Sequence, residues 1–485
     1  MERLSGQDAT FLYNETPTEH MHTLKVAVFD PAPGGTPPFE LLREEVGRRL
    51  ARFAAFRRRL ARVPGDLHHP VWVEGGEPDL DYHVRRARIP APGTSQEMDR
   101  VVGRLAGWPL DRAHPLWQLW LLEGRADGRV AVMVKLHHSV ADGVAVNALL
   151  GSLMSTDPES SLAELPPEAP VAAEQPGPAR LLADAARDLV ADTVTFPSAM
   201  WRLQRAMSRR RRAARELAVA GGELPPRPIL DTPETSVNGS LTAARAVATA
   251  SLPLGPMLEV KRAAGVTLND VLLDLVGTGL TDVLAEEGEV PDASLTAVVP
   301  VSADPPPTPG EPPRRTGNRL SNLFVSLHTD IDDPGERLAA VHRSVEGAKD
   351  LYAAMGADTV LGLQAYTPPG PYRWAMAQYS RHSVADMHSP PVNVIVSNVH
   401  GPRRPLWIDG ARLVEFFSAG PIYAGASLNV TAWSYLDDMD LLVTSCARRF
   451  PEPARLVRAM ARALDELADA VGGSRPEGAG GPAGE

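Results

Sequence analysis

A stretch rich in proline, alanine and glutamate, running from Pro158 to Pro178, divides this chain into two long series of strand and helix patterns. Proline fixes φ and removes a backbone donor, so such a stretch cannot continue a packed sheet or helix. Before it, strand patterns at residues 24–29, 71–73 and 130–136 alternate with a helical pattern from Phe39 to Leu60. Alternation of this kind is typical of a layered α/β domain.

The second series is of comparable size. Residues 179–222 first form a helical pattern with one apolar face, which is interrupted at Pro197. Helical patterns around Leu258 and Leu272 follow, and the strand patterns lie at residues 243–252, 295–301, 323–329, 392–396, 428–435 and 441–446. We therefore predict a first domain at 1–157, a linker with a basic helical segment at 158–228, a second domain at 229–471 and a disordered tail at 472–485, with a proline-rich loop at 303–317.

Length and composition limit the class of protein. The chain has 485 residues, enough for two large α/β domains, and its 44% hydrophobic and 22% charged residues are typical of a globular protein. The net charge of -11 opposes binding through nucleic-acid phosphates, so we expect no nucleic-acid partner. The single cysteine, Cys446, excludes an internal disulfide and a cysteine-based zinc site, and its strand-like surroundings predict a small buried apolar side chain.

The sequence shows no apolar run near the 18 residues that a membrane-spanning helix needs. Its first 20 residues also lack the apolar core of a signal peptide. We therefore expect a cytoplasmic protein that is at most peripheral to the inner membrane or to lipid droplets.

The segment RVAVMVKLHHSVADG (129–143) contains the residues best suited to catalysis. Successive side chains of a strand point to opposite faces, so His138 should share a face with Leu136 and Val134, and His137 should share the other with Lys135. The two histidines are therefore predicted to have different roles. The GxSxG, GxxxxGK, GxGxxG and HExxH motifs are absent, which removes several other enzyme classes.

Imidazole accepts a proton near neutral pH, so a histidine at a strand end suits a general base. Asp142, on the following turn, could fix a loop or hold an arginine. Gly143 would permit a backbone conformation or a close approach that a Cβ would block. The alternative is that this histidine pair is purely structural.

With its spacing intact, HHSVADG matches the HHxxxDG motif of the CoA-dependent acyltransferase superfamily, and further segments resemble the bacterial wax ester synthase/diacylglycerol acyltransferase family. They follow in order along nearly the whole chain: LSGQDATFLYNETPTEHMH, PVWVEGGEPDLDYHVRR, HPLWQLWLLEG with its PLW element at Pro115, Leu116 and Trp117, VTLNDVLLDLV with its ND element at Asn269 and Asp270, GNRLSN (317–322), VIVSNVHGP (394–402) and GPIYAGASLNVTAWSYLDDMDL. The sequence departs from the family pattern at His400, where a proline is expected.

The resemblance implies two chloramphenicol-acetyltransferase-like α/β domains, with an active-site tunnel at their interface. It implies that His138 takes the proton from an acceptor hydroxyl, that the alkoxide attacks the thioester of acyl-CoA, and that CoA thiolate leaves without an acyl-enzyme. Acyl-CoA is then a substrate, and neither a resident cofactor nor a metal is expected. His137 becomes a residue that shapes the site, and Asp142 a structural anchor.

The same resemblance implies that Gly143 and the PLW, ND and SNV elements line the substrate site, although each element has a structural alternative. Trp117 is an aromatic residue of the kind found in cores. Asn269 and Asp270 follow Thr267, a candidate N-cap, and would complement a helix N-terminus. Ser397 and Asn398 would either donate to an oxyanion or stabilise a turn.

The basic segment at residues 201–217 is amphipathic. It is either a solvated helix face or a surface that meets anionic lipid. The expected function is acyl transfer to diacylglycerol, with long-chain alcohols as further acceptors and with a peripheral membrane or lipid-droplet contact. The alternatives are a transferase acting on another hydroxyl or amine, and a lipid-droplet binding protein without turnover.

Overall fold

The computed structural model describes residues 2–32, 34–35, 39–143, 145–146, 153–159, 176–304, 314 and 316–472. Residues 160–175 of the predicted linker, most of the proline-rich loop and nearly all of the tail lie outside these residues. The strands are β1 (Glu2–Arg3), β2 (His22–Asp30), β3 (Arg58–Ala61), β4 (Val71–Glu74), β5 (Val84–Arg88), β6 (Trp117–Glu123), β7 (Val130–His137), β8 (Arg245–Pro253), β9 (Thr296–Ser302), β10 (Leu320–Ser326), β11 (Val394–His400), β12 (Trp407–Ile408), β13 (Ala411–Ala419), β14 (Leu428–Tyr435) and β15 (Asp438–Cys446).

The α-helices alternate with these strands along most of the chain. They are α1 (Gly6–Asn14), α2 (Phe39–Leu50), α3 (Ala54–Arg57), α4 (Leu80–His83), α5 (Ser95–Ala106), α6 (Pro178–Val219), α7 (Leu254–Ala264), α8 (Leu268–Glu286), α9 (Pro334–Met355), α10 (Ala357–Gln364), α11 (Pro369–Arg381) and α12 (Pro453–Gly472). The mixed α/β class predicted from the sequence is confirmed.

Two six-stranded sheets organise the molecule. The first has the order β12-β13-β2-β7-β6-β5, and the second has the order β10-β9-β11-β14-β15-β8. β2 and β7 pair antiparallel with His22 opposite His137, so the HHxxxDG segment leaves the first sheet beside the start of β2. The second sheet contains the parallel strands β9, β11 and β14, as expected of a mixed α/β layer.

A strand from the second half of the chain completes the first sheet. β13 pairs antiparallel with β2 from Ala419 opposite Leu24 to Arg412 opposite Asp30, with one irregularity after Leu413. The predicted division near residue 228 does not anticipate this exchange, because a strand's partner is not encoded in its own hydrophobic pattern. The two halves are thus joined along most of the length of β2.

Each half has its own apolar core. The largest cluster packs α7, α8, α9 and α12 on the second sheet, and includes the fully buried Leu272, Val341 and Met460. The cluster around Trp117 and Leu136 fills one side of the first sheet, and α5 packs on the other side with Met98 and Val102. Burial of apolar surface on this scale is the main source of stability for such domains.

The predicted helix from Phe39 to Leu60 is wrong in its second half. The chain leaves α2 at Leu50, forms the single turn α3, and then pairs as β3 with β4. Phe53 and Phe56 are buried in the core, and the pairing with β4 satisfies the backbone that a longer helix would have used. Tertiary pairing here outweighs helix propensity.

The predicted interruption at Pro197 is also wrong, because α6 continues through it from Pro178 to Val219. Proline at this position removes the donor for the carbonyl of Thr193. Thr193 is exposed, so water can satisfy that carbonyl and the helix need not end. At 1.5 Å per residue this helix is about 60 Å long.

Within the described residues no individual helix is both long enough and apolar enough to cross a bilayer. The pair α7 and α8 meets the criterion only when taken together, and the two helices are bent by 107° from each other. Their apolar side chains fill the core of the second half.

Candidate active site

The side chains of β7 alternate between the two faces of the first sheet as predicted, and the strand ends at His137, so His138 is the first residue of the following turn. Val132, Val134 and Leu136 pack in the cluster that contains Trp117, whereas Met133 packs with α5 on the other side. Lys135 also points to the α5 side, where its Nζ donates to the carbonyls of Leu105 and Trp108. His137 lies opposite His22 of β2 at the end of β7, and His138 contacts Asn318 of the second half of the chain.

His138 is held on three sides. Its backbone N–H donates to the carbonyl of Met21 over 2.8 Å, and its Nδ1 lies 2.8 Å from Oδ1 of Asn318. The ring of Phe11 stacks on the imidazole at 4.2 Å between centroids. The residue is only 9% exposed.

The two ring nitrogens of His138 differ in their surroundings. Nδ1 is bonded to Asn318, whereas Nε2 makes no hydrogen bond with the described residues. Nε2 is nevertheless absent from the fully buried, unpartnered polar atoms, so it keeps accessible surface. It is therefore the ring nitrogen that is left free to accept a proton.

His137 has the opposite arrangement. Its Nδ1 accepts the backbone N–H of Ser139 over 3.1 Å and lies 2.8 Å from the Ser139 hydroxyl, so its lone pair is already used. Its Nε2 is fully buried without a hydrogen bond and lies 3.6 Å from Glu15, which is paired with Arg112. The ring is 1% exposed. These contacts favour a shaping role for His137 over a proton-transfer role.

Burial keeps both imidazoles uncharged. It lowers the pKa of His137 well below the ordinary 6.5, because the charged form loses its hydration. Burial also lowers the pKa of His138, with the charge of Asp142 and the hydrogen bond from Nδ1–H to Oδ1 of Asn318 acting in the opposite direction. A neutral imidazole with an accessible Nε2 is chemically able to accept a proton.

Asp142 uses both carboxylate oxygens in bonds within the protein. Oδ1 accepts the N–H of Ala145 over 3.0 Å, and Oδ2 accepts from Arg314 over 2.7 Å and from the N–H of Arg319 over 3.0 Å. Its side chain is completely buried. This arrangement favours the predicted anchor role, since no oxygen is left to serve as an acid or base.

The anchor joins the HHxxxDG turn to residues 316–319 of the second half. Gly317 donates its N–H to the carbonyl of Val140 over 2.7 Å, and its own carbonyl accepts from the N–H of Asp142. Gly317 has φ of 77°, which favours glycine, and a Cβ there would lie 3.4 Å from Asp8. This turn places the next residue, Asn318, against His138.

We predicted that the backbone conformation or a close approach would require glycine at position 143. Among the described residues neither requirement is found. The φ of Gly143 is outside the left-handed region, and a Cβ added there would have Cγ2 of Val399 as its nearest described neighbour, at 3.8 Å. That is an ordinary contact, so neither backbone conformation nor close approach of the described chain requires glycine. A role of Gly143 toward substrate stays a prediction.

The PLW element forms part of the core behind His137. Leu116 accepts the N–H of His137 over 3.0 Å, and the preceding Pro115 is buried. Trp117 is fully buried, stacks on His83 at 4.2 Å, and donates its indole N–H to the carbonyl of Phe56. These contacts explain the PLW element as part of the core. A contact between this element and the substrate stays a prediction.

The ND element lies at the start of α8. Thr267 and Asp270 form a reciprocal capping box, and Oδ2 of Asp270 also lies 2.8 Å from Nδ1 of His342. The predicted helix-cap interpretation therefore accounts for Asp270. Asn269 is partly buried at the same helix end, and a substrate role for either residue stays a prediction.

Ser397 and Asn398 lie inside β11, so the alternative that they stabilise a turn is wrong. Strand alternation puts Ser397 on the face of Val399, whose methyl group lies near Gly143. Oδ1 of Asn398 is fully buried without a partner in the described residues. Ser397 as a donor to a developing oxyanion stays a prediction.

His400 is the last residue of β11. Gly401 follows it, at a position where a Cβ would collide with Ser434.

Two cavities lie at the junction of the halves, near α1 and the start of β2. One lies between Leu12 and Tyr13 of α1 and Arg373 of α11. The other lies between His20, His22 and Arg245. Neither of these two cavities is lined by His138. In the described residues no group of three or more His, Cys, Asp or Glu side chains is placed to hold a metal ion.

Sequence reasoning did not identify Asn318, Asp8 or Phe11 as site residues. Asn318 is 180 positions from His138 in the sequence, so no local spacing connects them. The available signals were the GNRLSN element and the opening segment, which were noted only for their resemblance to a family.

Two six-stranded mixed sheets, of which the first includes a strand from the second half of the chain, and an HHxxxDG motif between the halves are the features of a two-domain acyltransferase. A starter condensation domain of rhizomide synthetase, solved with C8-CoA, has a TM-score of 0.55 at 11% identity and shares the fold over 97% of this chain and 94% of its own. A wax ester synthase/diacylglycerol acyltransferase from Marinobacter aquaeolei VT8 is more similar, with a TM-score of 0.69 at 26% identity over 97% of this chain and 100% of its own.

Sequence families give the particular assignment. The wax ester synthase/diacylglycerol acyltransferase catalytic domain matches residues 4–272, and the WS/DGAT C-terminal domain matches residues 316–468. A putative diacylglycerol O-acyltransferase of Mycobacterium tuberculosis H37Rv is 35% identical over 481 residues, which cover 97% of each chain. The protein belongs to the wax ester synthase/diacylglycerol acyltransferase family, which confirms the resemblance found in the sequence.

Proposed function

We propose that this protein transfers the acyl group of acyl-CoA to the free hydroxyl of diacylglycerol, and to long-chain alcohols as a second class of acceptor. The relatives named above support this choice of substrates. The observation that carries the proposal is the accessible Nε2 of a neutral His138 at the junction of the two halves.

In the proposed reaction, Nε2 of His138 accepts the proton of the acceptor hydroxyl as its oxygen attacks the thioester carbonyl. A C–O bond forms, the C–S bond breaks, and the departing CoA thiolate takes the proton back from Nε2. An alcohol needs such a base because it is a weak nucleophile, whereas a thiol with a pKa of about 8.5 gives a competent leaving group. The imidazole ends in its starting state, so the cycle needs neither an acyl-enzyme nor a cofactor.

An acceptor panel tests the proposed function. Purified protein is given radiolabelled palmitoyl-CoA with diolein, hexadecanol or hexadecylamine, and the lipid products are separated. We expect labelled triacylglycerol, and wax ester with hexadecanol. Product with the amine alone would identify a different transferase, and no product with any acceptor would identify a binding protein without turnover.

The pH dependence follows from the state of His138. Only the neutral imidazole can accept a proton, and its pKa is lowered from 6.5, so activity is fully present above that value and is lost as the pH falls through the lowered pKa. We expect kcat/KM for palmitoyl-CoA to rise with pH to a plateau, with the midpoint below pH 6.5. A midpoint above pH 6.5, measured between pH 4.5 and 8, would contradict a neutral buried base.

We further propose that α6 brings the enzyme to a lipid surface. Three apolar side chains on one face of this helix are largely exposed: Val190 (66%), Val194 (73%) and Trp201 (55%). Arg205 lies 4.1 Å from the ring centroid of Trp201, and exposed arginines continue toward residue 215. An apolar stripe followed by basic residues is suited to an anionic membrane interface.

Charge removal on α6 should weaken vesicle binding. With about 1 kcal/mol for each arginine near an anionic surface, a triple substitution is expected to reduce binding to phosphatidylglycerol-containing vesicles by at least tenfold. The substitutions, which share exposed positions on α6, are R202Q, R211Q and R215Q. The matched control, with the same change in charge at exposed sites elsewhere, is R88Q, R403Q and R404Q. Equal binding by both variants in a flotation assay would show that α6 is only a solvated helix.

A further inference from the structure

We propose that Asn318 and Asp8 are positioning residues for His138: together they fix the imidazole in the tautomer that leaves Nε2 free, and they stabilise its protonated form. This inference rests on the proposed function, since it assigns the groups that prepare the proposed base.

The orientation of the Asn318 amide follows from its other contacts. Its Nδ2 donates to Oδ1 of Asp8 over 2.6 Å and to the backbone carbonyl of His138 over 2.7 Å. Both acceptors require the NH₂ end of the amide, so Oδ1 is the end that faces the imidazole.

The amide in turn determines the tautomer. Oδ1 of Asn318 is an acceptor only, and it lies 2.8 Å from Nδ1 of His138. Nδ1 must therefore carry the proton of the neutral ring, and the lone pair must be on Nε2. Without this partner the proton could move to Nε2, and the accessible nitrogen would no longer be a base.

Asp8 is itself held in place by the start of α1. Its Oδ2 accepts the hydroxyl proton of Ser5, and its backbone N–H donates to the same hydroxyl oxygen. Phe11, one helical turn later, stacks on the imidazole. A single short helix therefore fixes both the plane of the ring and the amide behind it.

The same chain of contacts favours the charged ring that forms during the reaction. When Nε2 takes a proton, the bond from Nδ1–H to Asn318 becomes charge-assisted and stronger. The carboxylate of Asp8 polarises the amide in the direction that makes Oδ1 more negative. A base whose orientation is set by a third group is a recurring arrangement in acyl transfer.

Other charges also act on these groups. Besides burial, Asp142 raises and Lys25 lowers the pKa of His138, and burial lowers the pKa of the adjacent His137 well below 6.5. Burial raises the pKa of Asp8 to about 6, against the bonds from Asn318 and Ser5, and Asp142 adds to the increase. Asp8 is therefore ionised above about pH 6, where the enzyme is expected to work.

The decisive test uses the native protein. In protein labelled with ¹⁵N-histidine, with the His138 signals assigned by comparison with the His138→Ala variant, we expect a protonated Nδ1 and an unprotonated Nε2 at pH 7.5. The opposite tautomer in the native protein would overturn the inference without any variant having to fold.

Two variants extend the test to catalysis. Asn318→Ala is expected to lower kcat by roughly 10²-fold, within the range of a general base, with KM for palmitoyl-CoA unchanged and with the His138 tautomers mixed. The double variant D8N/N318D exchanges carboxylate and amide, so it restores an acceptor opposite Nδ1. We expect it to regain much of the activity that Asn318→Ala loses, and to move the acidic limb of the pH profile upward because a carboxylate then contacts the imidazole.

A merely structural role predicts different results. The unfolding temperature would then fall in both variants, KM would change together with kcat, and the double variant would not move the pH profile. An active wild-type enzyme with a fully active Asn318→Ala variant would overturn this inference alone. Wild-type protein that is inactive with every acceptor would instead overturn the proposed function.

Discussion

Replacement of His138 by alanine is expected to lower kcat for transfer from palmitoyl-CoA to diolein by about 10²- to 10⁴-fold, the range that a positioned general base contributes. The physical reason is that Nε2 of His138 is the accessible, unpartnered nitrogen of the pair, whereas both nitrogens of His137 are enclosed. KM for palmitoyl-CoA should change little, because a base acts on the acceptor hydroxyl. Steady-state assays with separation of the lipid products measure both quantities.

The matched control is His382→Ala, which removes an exposed imidazole at the end of α11. That variant is expected to keep full activity. The unfolding temperature of each variant should be recorded, because His138 is buried and contacts Phe11. Undiminished activity in a folded His138→Ala variant would remove the proposed mechanism.

Replacement of Asp142 by alanine is expected to lower the free energy of unfolding by about 3–5 kcal/mol, as removal of one member of a buried ion pair does. Asp142 is completely buried and accepts from Arg314 and two backbone N–H groups. The bonds from Arg314 and from the N–H of Arg319 connect the HHxxxDG turn to the second half of the chain, so activity should fall as well. Denaturant unfolding, followed by fluorescence and by activity, measures the effect.

Asp304→Ala is the control for this prediction. Asp304 contacts the same guanidinium over 2.9 Å but is partly exposed, so its loss should cost less than about 1 kcal/mol. A double-mutant cycle of Asp142→Ala with Arg314→Met separates the pair interaction from the loss of backbone bonds. Equal, small effects of Asp142→Ala and Asp304→Ala would contradict the anchor role.

Much of the fold could be predicted because its elements have strong local patterns. The alternation of β7 indicated which of its residues face each side of the first sheet, and Thr267 with Asp270 indicated the start of α8. Two of the predictions that were wrong share one cause, which is strand pairing that the local sequence pattern does not encode. β3 forms where a helix was predicted because β4 offers it a partner, and β13 joins the first sheet across the predicted domain boundary.

The residues of the candidate site also divide into those that could be identified from the sequence and those that could not. His138 and Asp142 lie in one short motif, so they could be identified as candidate site residues from its spacing and its resemblance to a known family. Asn318 and Asp8 could not be identified, because they are 310 positions apart and meet only when the two halves pack together. For Gly143, the general properties of glycine suggested that the backbone needs a glycine at this position. The described neighbours of Gly143 do not require one.

A single-turnover experiment tests direct base-catalysed transfer most immediately. Enzyme in excess over radiolabelled palmitoyl-CoA is mixed with diolein and quenched in acid at intervals, with wild type and His138→Ala compared. The account predicts that label passes from CoA to triacylglycerol in the wild type with none bound to protein, and that the variant leaves it on CoA. Label held covalently by the protein, or transfer at the wild-type rate in the variant, would contradict it.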